Sequence, residues 1–501
     1  MEVTLSEIKN KIEKFATKPS FVFVVCAVAF IFHALAFDVA GLLLFGIVGG
    51  IFLVAFDDSR PALTVILFTI FIVSTQNSTG FPTSSHEGCY YYRKSTLIPL
   101  AVCGCFLVGC MAVRCVKHRK NFASAKFTLP LVAVSVSMLL SGVVGAAEND
   151  YGKSVLFSLI AVGSYLGLYV ALTGIIDGAD GLLDYSMTLL SGIALIISLE
   201  VLYVYFLNLL PPFEFLPENW RKCMRAGENF GFSITYWKIF IVTGCGVSNQ
   251  SGEMIAFLLP AVFYKILKTE KYLGYHIIAL IASASIVLTF SRTGIAVGGT
   301  LFVVLTVVTA VKLEKKKLFI GVSSAVAAIG IALFTALCLI PDSPLLRYIL
   351  PSKGPGLNGR YELWKTAIEY FKEMPLFGRG YAYPYLDSRF VERFGPSVSV
   401  FRSLFHNFVF QEIASGGIVG VAALGYATVS VFWRLIKEKY EGKFYFLCFI
   451  IAFAVVSSFD ILYFIPYYVL FLMFVIVLAE KGIEKTKTHP LEVRKDERKK
   501  A

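Results

Sequence analysis

Charged side chains are scarce in this chain of 501 residues, of which 16 % are Asp, Glu, Lys or Arg and 57 % are hydrophobic. The mean hydropathy of +0.72 excludes an ordinary soluble protein. No cleavable signal peptide is evident, because the first apolar run begins near Ser20 without a small-residue cleavage site. The sequence also lacks an internal repeat, although many transporters are built from repeated halves.

Sequence signatures of metal and nucleotide sites are missing as well. The predicted outer loops contain no paired-aspartate motif, and the chain has no glycine-rich phosphate loop and no cluster of His and Cys ligands. The net charge of +12 sits largely in short loops and in the C-terminal tail, as the positive-inside rule requires, so it does not indicate nucleic-acid binding. We therefore expect a reaction that uses neither a metal ion nor another cofactor, or no reaction at all.

Apolar runs long enough to cross a bilayer recur along the whole chain. They predict an all-α polytopic membrane protein with roughly 12–14 transmembrane helices, in which residues 1–501 form a single membrane domain. Lysine-rich links such as 312–317 mark the cytoplasmic side and put both termini there, so we expect the inner (cytoplasmic) membrane. The same alternation puts the large loop 341–403 outside the cytoplasm, and residues 482–501 are expected to form a disordered cytoplasmic tail.

A long polar stretch, residues 359–420, interrupts this pattern with a dense set of arginines. Arg360 opens a helical pattern that stops before Pro375, which predicts an amphipathic helix on the membrane or on the end of the bundle. The apolar face of this helix is expected to carry Tyr361, Trp364, Ile368 and Phe371. An arginine in a first helical turn opposes the helix dipole, so we expect Arg360 to meet an anion, unless it is a solvated loop charge. Arg292 lies between two apolar runs with almost no loop, where it either anchors the helix or grips phosphate oxygens.

His406 and Asn407 stand where the apolar sequence resumes. Histidine titrates near neutral pH, so a neutral ring here can take a proton as a general base. The alternative is a histidine that only occupies the membrane interface. Asn407 is expected to orient the ring or to bind a substrate hydroxyl, and Glu412, further along the helix, is expected to hydrogen-bond inside the bundle.

Four short motifs follow one another in the second half of the chain. They are Ser291-Arg292-Thr293-Gly294, Gly359-Arg360-x-x-x-Trp364, Pro375-Leu376-Phe377-Gly378-x-Gly380, and His406-Asn407 followed by Gly416-Gly417-Ile418-Val419-Gly420. In this order, and with a long loop between them, they resemble the O-antigen ligase/polymerase superfamily over about residues 240–425.

The resemblance implies a GT-C-like helical bundle and an inverting, metal-independent glycosyltransferase. Such an enzyme uses an undecaprenyl-diphosphate-linked glycan as donor at the outer face of the membrane. By this resemblance, Arg292 and Arg360 would hold the diphosphate and His406 would deprotonate the acceptor hydroxyl. Further substrate contacts are expected from five polar residues: Asn407, Arg225, Lys238, Arg379 and Arg402. The expected partners are the polyprenyl-diphosphate-linked oligosaccharide donor, a glycan acceptor, the lipid bilayer and a chain-length regulator, without nucleic acid.

Three other functions remain open at this stage. The favoured reaction is the polymerisation of polysaccharide repeat units for O-antigen, capsule or exopolysaccharide, but a ligase that moves glycan to lipid A core or to protein fits the same motifs. A lipid-linked glycan flippase would suit the number of spans, although the charges gather on one face and no repeat is seen. A non-catalytic assembly component would not need Arg292, Arg360 and His406 together.

Overall fold

The computed structural model describes fifteen segments of the chain. They are residues 5–35, 37–72, 94–117, 125–145, 151–176, 180–209, 232–233, 238–239, 242–243, 245–270, 272–313, 316–339, 360–381, 405–460 and 462–488. Almost all of these residues are helical and several helices are long and apolar enough to cross a membrane, which confirms the predicted all-α polytopic membrane fold.

The helices coincide with the apolar runs of the sequence and begin at prolines or polar caps where those are available. In chain order they are α1 (Leu5–Ala16), α2 (Pro19–Ala34), α3 (Asp38–Ala55), α4 (Arg60–Phe68), α5 (Lys94–Lys117), α6 (Thr128–Val144), α7 (Tyr151–Val162), α8 (Leu168–Ile175), α9 (Leu182–Leu209), α10 (Ser248–Lys268), α11 (Leu273–Leu288), α12 (Arg292–Lys312), α13 (Lys316–Leu339), α14 (Arg360–Glu373), α15 (Phe408–Lys437), α16 (Lys443–Ser457) and α17 (Pro466–Thr488). A π-helical turn, Gly163–Gly167, joins α7 to α8, and 3₁₀ turns lie at Thr69–Phe71 and Leu462–Phe464.

Two short antiparallel ladders precede α10. β1 (Phe232–Ser233) pairs with β2 (Lys238–Ile239), with Phe232 opposite Ile239. β3 (Val242–Thr243) pairs with β4 (Gly246–Val247), with Val242 opposite Val247, and β4 runs directly into α10. These two-residue strands orient the entry to the central helix and leave the fold class unchanged.

Four helical segments among the described residues are long and apolar enough to span a bilayer. They are Ser154–Ile175, Leu182–Val204, Arg292–Lys312 and Phe408–Lys437. A fifth is reached if α1 and α2, which meet at 85°, are counted as one broken span, and five shorter apolar helices accompany them. The total of roughly 12–14 spans therefore stays a prediction.

The helix α10 lies at the centre of the bundle. Its side chains are buried from Met254 to Ile266, and it packs against α9, α11, α12 and α16. A helix that is buried all round belongs in the interior of a helical bundle. Small residues let α12 approach it closely, since a Cβ added to Gly298 would lie 3.2 Å from Ala256 Cβ, and one added to Gly294 would lie 3.0 Å from the Gly252 carbonyl carbon.

The N-terminal ends of α10, α12, α15 and α17 meet at one end of the bundle, which we call the upper end. The Tyr467 hydroxyl at the start of α17 donates to Gln250 Oε1 at the start of α10, over 3.4 Å. Asn407, directly before α15, donates from Nδ2 to the Ser458 carbonyl at the end of α16, over 2.7 Å. The starts of α10 and α12 contact each other at Gly252 and Gly294. Arg292, at the start of α12, and His406, just before α15, therefore lie at the same upper end of the bundle.

Ion pairs between links close the opposite, lower end. They are Lys265–Asp184, Lys268–Glu441, Lys485–Asp180 and Lys487–Glu438. At least one partner of each pair is substantially exposed, so each contributes at most about 1 kcal/mol. Their lysines lie at the end of the bundle that the positive-inside rule predicts to be cytoplasmic, and this orientation stays a prediction.

Two predictions differ from the structure. Residues 482–488 continue α17, although the sequence assigned them to a disordered tail; Ile483 is buried, and Lys485 and Lys487 pair with other links. The face of α14 that packs inward carries Leu363, Ala367 and Tyr370, whereas the predicted apolar face includes Tyr361 and Ile368, which are exposed. Of the large loop 341–403, the structure describes residues 360–381, and residues 489–501 lie outside the described chain.

Candidate functional site

The start of α15 is held by Asn407. Its Oδ1 accepts hydrogen bonds from the backbone N–H groups of Val409 at 2.8 Å and Phe410 at 3.2 Å, while its Nδ2 donates to the Ser458 carbonyl. Both ends of the amide are therefore engaged in fixing the helix start, as an N-cap does. The preceding residue, His406, has φ 47°, a left-handed conformation that few non-glycine residues adopt. The cap and the strained backbone together fix the direction in which the imidazole leaves the chain.

His406 forms a close pair with Asp460. The Nδ1 atom lies 3.2 Å from Asp460 Oδ1, and the side chains are 26 % and 9 % exposed. When Asp460 is ionised, its carboxylate only accepts, so a neutral His406 ring that donates to it carries its proton on Nδ1 and its lone pair on Nε2. This is the arrangement by which a carboxylate orients a histidine base.

Helix α14 docks on the residue that precedes His406. Trp364 Nε1 donates to the Phe405 carbonyl over 2.9 Å, and the Trp364 ring stacks on Phe410 with centroids 5.1 Å apart. Arg360 is the first residue of α14 and lies one turn before Trp364, on the same face. The docking of this helix therefore carries Arg360 to the upper end, where His406 lies.

Two glycine-containing motifs interlock by exchanging backbone hydrogen bonds. Helix α15 is interrupted at Gly417, which has φ 61° and ψ −156°. The bonds across the interruption are Arg379 N to Ala414 O (2.9 Å), Gly380 N to Ser415 O (3.0 Å), Ile418 N to Pro375 O (2.9 Å) and Val419 N to Leu376 O (3.1 Å). In an unbroken helix, the N–H groups of 418 and 419 would donate to the carbonyls of 414 and 415. The exchange therefore pairs all four groups that the break releases.

The buried carboxylate of Glu412 forms hydrogen bonds with Tyr381, which follows α14, and with Tyr463, which follows Asp460. The Tyr381 hydroxyl donates to its Oε1 over 2.6 Å, and the Tyr463 hydroxyl lies 3.2 Å from its Oε2. Burial, followed by the charge of Glu412, raises the pKa of Tyr381 well above its ordinary value, so this hydroxyl remains a donor. Glu412 thus makes the hydrogen bonds inside the bundle that the sequence predicted.

Arg292 and Arg379 lie in opposite environments. Arg292 is exposed at the first position of α12, whose cap is the Ser291 hydroxyl accepting from Gly294 N at 3.0 Å. Arg379 is 5 % exposed, forms an ion pair with Glu373 and lies over the Tyr370 ring, 5.5 Å from its centroid. These contacts favour a structural role for Arg379, and its predicted contact with substrate stays a prediction.

The structure does not describe the side chains of three other predicted substrate-binding residues. Arg225 and Arg402 lie outside the described residues. Lys238 begins β2, but its side chain is not among those described. The structure therefore brings together His406, Asn407 and the helix start at Arg360, and it adds Asp460.

The comparison with known families agrees with the motifs on this end of the bundle. Residues 277–425 match the family model described as O-antigen ligase, a segment that contains Arg292, Arg360 and His406. This stretch is similar to the O-antigen ligase family. The match confirms the resemblance to the O-antigen ligase/polymerase superfamily and an O-antigen ligase/polymerase type of glycan transfer. No curated protein matches the chain.

An apolar cavity of about 120 Å³ lies beneath the O-antigen ligase motifs. Its walls come from α6, α15, α16 and α17, and Phe408 and Tyr463 form the part nearest His406 and Asp460. The Tyr463 hydroxyl lies 3.0 Å from the Phe408 carbonyl, so the same residues shape the cavity and hold the start of α15.

Asp460 lies outside the segment matched by the O-antigen ligase model, and sequence reasoning missed it. The available signal was an isolated carboxylate between two apolar runs, where ionisable residues are costly and usually functional. No group of three or more His, Cys, Asp and Glu side chains in the described part of the chain is arranged to hold a metal ion. Independence from metals stays a prediction.

Proposed function

We propose that the protein is an inverting membrane glycosyltransferase that moves glycan from a polyprenyl-diphosphate-linked donor to a sugar hydroxyl. The observation that carries the proposal is the His406–Asp460 pair, 3.2 Å apart, inside the upper end that also holds the O-antigen ligase motifs. Its most specific form is the polymerisation of polysaccharide repeat units. We further propose that the upper end faces away from the cytoplasm and that both termini are cytoplasmic, in the inner membrane.

In the proposed reaction, the acceptor hydroxyl oxygen attacks the anomeric carbon of the donor. The hydroxyl proton passes to His406 Nε2, the new glycosidic C–O bond forms, and the bond from the anomeric carbon to the diphosphate oxygen breaks. Polyprenyl diphosphate leaves with the electron pair, and a single displacement inverts the anomeric configuration. Asp460 keeps the imidazole oriented and stabilises the imidazolium that forms, which supports a base contribution of about 10²–10⁴-fold.

Arg292 and Arg360 are proposed to bind the leaving diphosphate. A planar guanidinium matches two phosphate oxygens at once and remains charged at any physiological pH. Charge develops on the diphosphate as it leaves, so fixed cations stabilise the transition state more than the ground state. Both arginines begin helices at the upper end, and this common placement supports their assignment.

The apolar cavity is proposed to take part of the polyprenyl chain. Its lining joins α15 and α16 below Phe408, so a chain entering there would leave its diphosphate at the height of His406. The bilayer confines such a donor to two dimensions. This arrangement supports a lipid-linked donor over a soluble nucleotide sugar.

The experiment that tests the function uses the purified protein in nanodiscs with a synthetic polyprenyl-diphosphate oligosaccharide. We expect products that grow by whole repeat units and release polyprenyl diphosphate, and NMR of the new linkage should show inversion. A single transfer that requires added lipid A core or protein would support the ligase instead. Movement of intact donor across the bilayer without a new glycosidic bond would support a flippase and contradict the proposal.

A further inference from the structure

Helix α1 lies at the lower end of the bundle and takes no part in the candidate site. It meets α2 at 85°, so α1 runs nearly along the membrane surface when α2 runs across the bilayer. Glu13 Oε1 accepts from the backbone N–H groups of Asp57 at 3.0 Å and Asp58 at 3.1 Å, and the Tyr185 hydroxyl donates to the Ala16 carbonyl at 3.1 Å. These contacts attach the C-terminal half of α1 to the lower end of the bundle.

One face of α1 is an exposed apolar stripe. Ile8, Ile12 and Phe15 are 44 %, 45 % and 46 % exposed and follow the i, i+4, i+7 spacing of a single helix face. The Phe15 ring meets the edge of Phe21 in the first turn of α2, with centroids 5.9 Å apart. The stripe therefore lies on the side of α1 that faces the hydrocarbon level of α2.

Lysines border this stripe on both sides. At 100° per residue, Lys11 and Lys9 lie on the two sides of the stripe, about 70° and about 90° from its midpoint, whereas Lys14 lies about 130° from it. Lys11 is exposed and Lys9 is half-buried. A lysine beside an apolar stripe can lay its methylene chain along the hydrocarbon and place its ammonium at the level of lipid phosphates.

We propose that α1 is an in-plane anchor that binds a bilayer surface rich in anionic phospholipid, with the stripe among the acyl chains and Lys9 and Lys11 at the phosphates. The charge and the position of α1 indicate which kind of surface it binds. The apolar stripe is at the depth where α2 enters the bilayer, and its borders are cationic, so an anionic lipid is preferred over a zwitterionic one. This site is separate from glycan transfer and does not depend on it.

Hydrogen exchange of the full-length protein in nanodiscs tests the proposal, because a twelve-residue helix is marginal in water and is protected only when docked. We expect the amides of α1 to exchange at least about tenfold more slowly in phosphatidylglycerol-rich bilayers than in pure phosphatidylcholine, at roughly fivefold for each bordering lysine. Protection of the central helix α10 is the internal control for folding, and it should be equal in both lipids.

Matched variants separate lipid binding from protein docking. Lys9→Gln with Lys11→Gln should lower protection in the anionic bilayer to the phosphatidylcholine level, whereas Lys14→Gln should change it by about twofold at most. Ile8→Ser with Ile12→Ser should remove protection in both lipids. Equal protection in both bilayers, protection that survives the serine variant, or an equal effect of all three lysines would each overturn the proposal.

Discussion

Replacement of Asp460 by asparagine is the sharpest test of the proposed mechanism. The substitution keeps the size of the side chain and leaves the Asp460 backbone bond to the Val456 carbonyl, at 2.9 Å, undisturbed. The substitution replaces the carboxylate, whose Oδ1 lies 3.2 Å from His406 Nδ1, with an amide that offers N–H donors as well as an acceptor. A donor at this position favours the tautomer with its proton on Nε2, and that tautomer has no lone pair for the acceptor hydroxyl.

The expected magnitude follows from the role of the pair. General-base catalysis contributes about 10²–10⁴-fold, so Asp460→Asn should lower kcat by about that factor with little change in donor binding. His406→Asn should lower kcat to a similar extent. Asparagine is the right replacement there, because it tolerates the left-handed φ of 47° better than alanine does. Since Asp460 acts only through His406, the double variant should be no slower than the slower single variant.

The assay compares turnover and donor binding on the same nanodisc preparations. Turnover is the release of polyprenyl diphosphate, and binding is measured with the donor in the absence of acceptor. Thermal unfolding of each variant controls for loss of folded protein. Normal turnover in Asp460→Asn, or losses that multiply in the double variant, would show that the two side chains do not act as an oriented base.

The remaining predictions concern the glycine motif and three arginines. Gly417→Ala should destabilise the protein by about 1–3 kcal/mol, because the residue has φ 61° and an added Cβ would lie 2.6 Å from a backbone nitrogen. The control Gly425→Ala meets open space inside a helix, so it should leave the melting temperature unchanged or raise it, by at most about 1 kcal/mol of stability. Arg114→Lys should lower the melting temperature, since the buried guanidinium donates to three carbonyls at the end of α3 and an ammonium cannot reproduce that fork. Arg292→Lys and Arg360→Lys should each weaken donor binding at unchanged melting temperature, and normal binding by both would make them topology charges.

Local patterns in the sequence predicted much of the architecture. Hydropathy predicts a polytopic helical membrane protein because each apolar run must satisfy its own backbone groups as a helix in lipid. The start of α15 can also be predicted from neighbouring residues, because Asn407 directly precedes the helix and caps it. The motif order identified the superfamily before any contact was known, and the family comparison confirmed it.

Local sequence patterns could not predict which face of α14 packs against the bundle. Tyr361 and Ile368 look suitable for burial, yet the docking partner is the start of α15, and Trp364 reaches the Phe405 carbonyl there. Which face of a short amphipathic helix is buried depends on the surface that receives it. For a helix at a membrane surface, apolar residues on the other face can meet lipid at little cost.

The sequence by itself determined the helical membrane class, the approximate helix positions and the superfamily, because these depend on composition and on neighbours along the chain. Tertiary structure alone decided that Asp460, 54 residues beyond His406, faces its Nδ1 atom. It also decided that the break at Gly417 is completed by the backbone of residues 375–380. Such partners carry no local signal: an isolated carboxylate or glycine acquires its role only when packing brings a complementary proton, carbonyl or amide within hydrogen-bond distance.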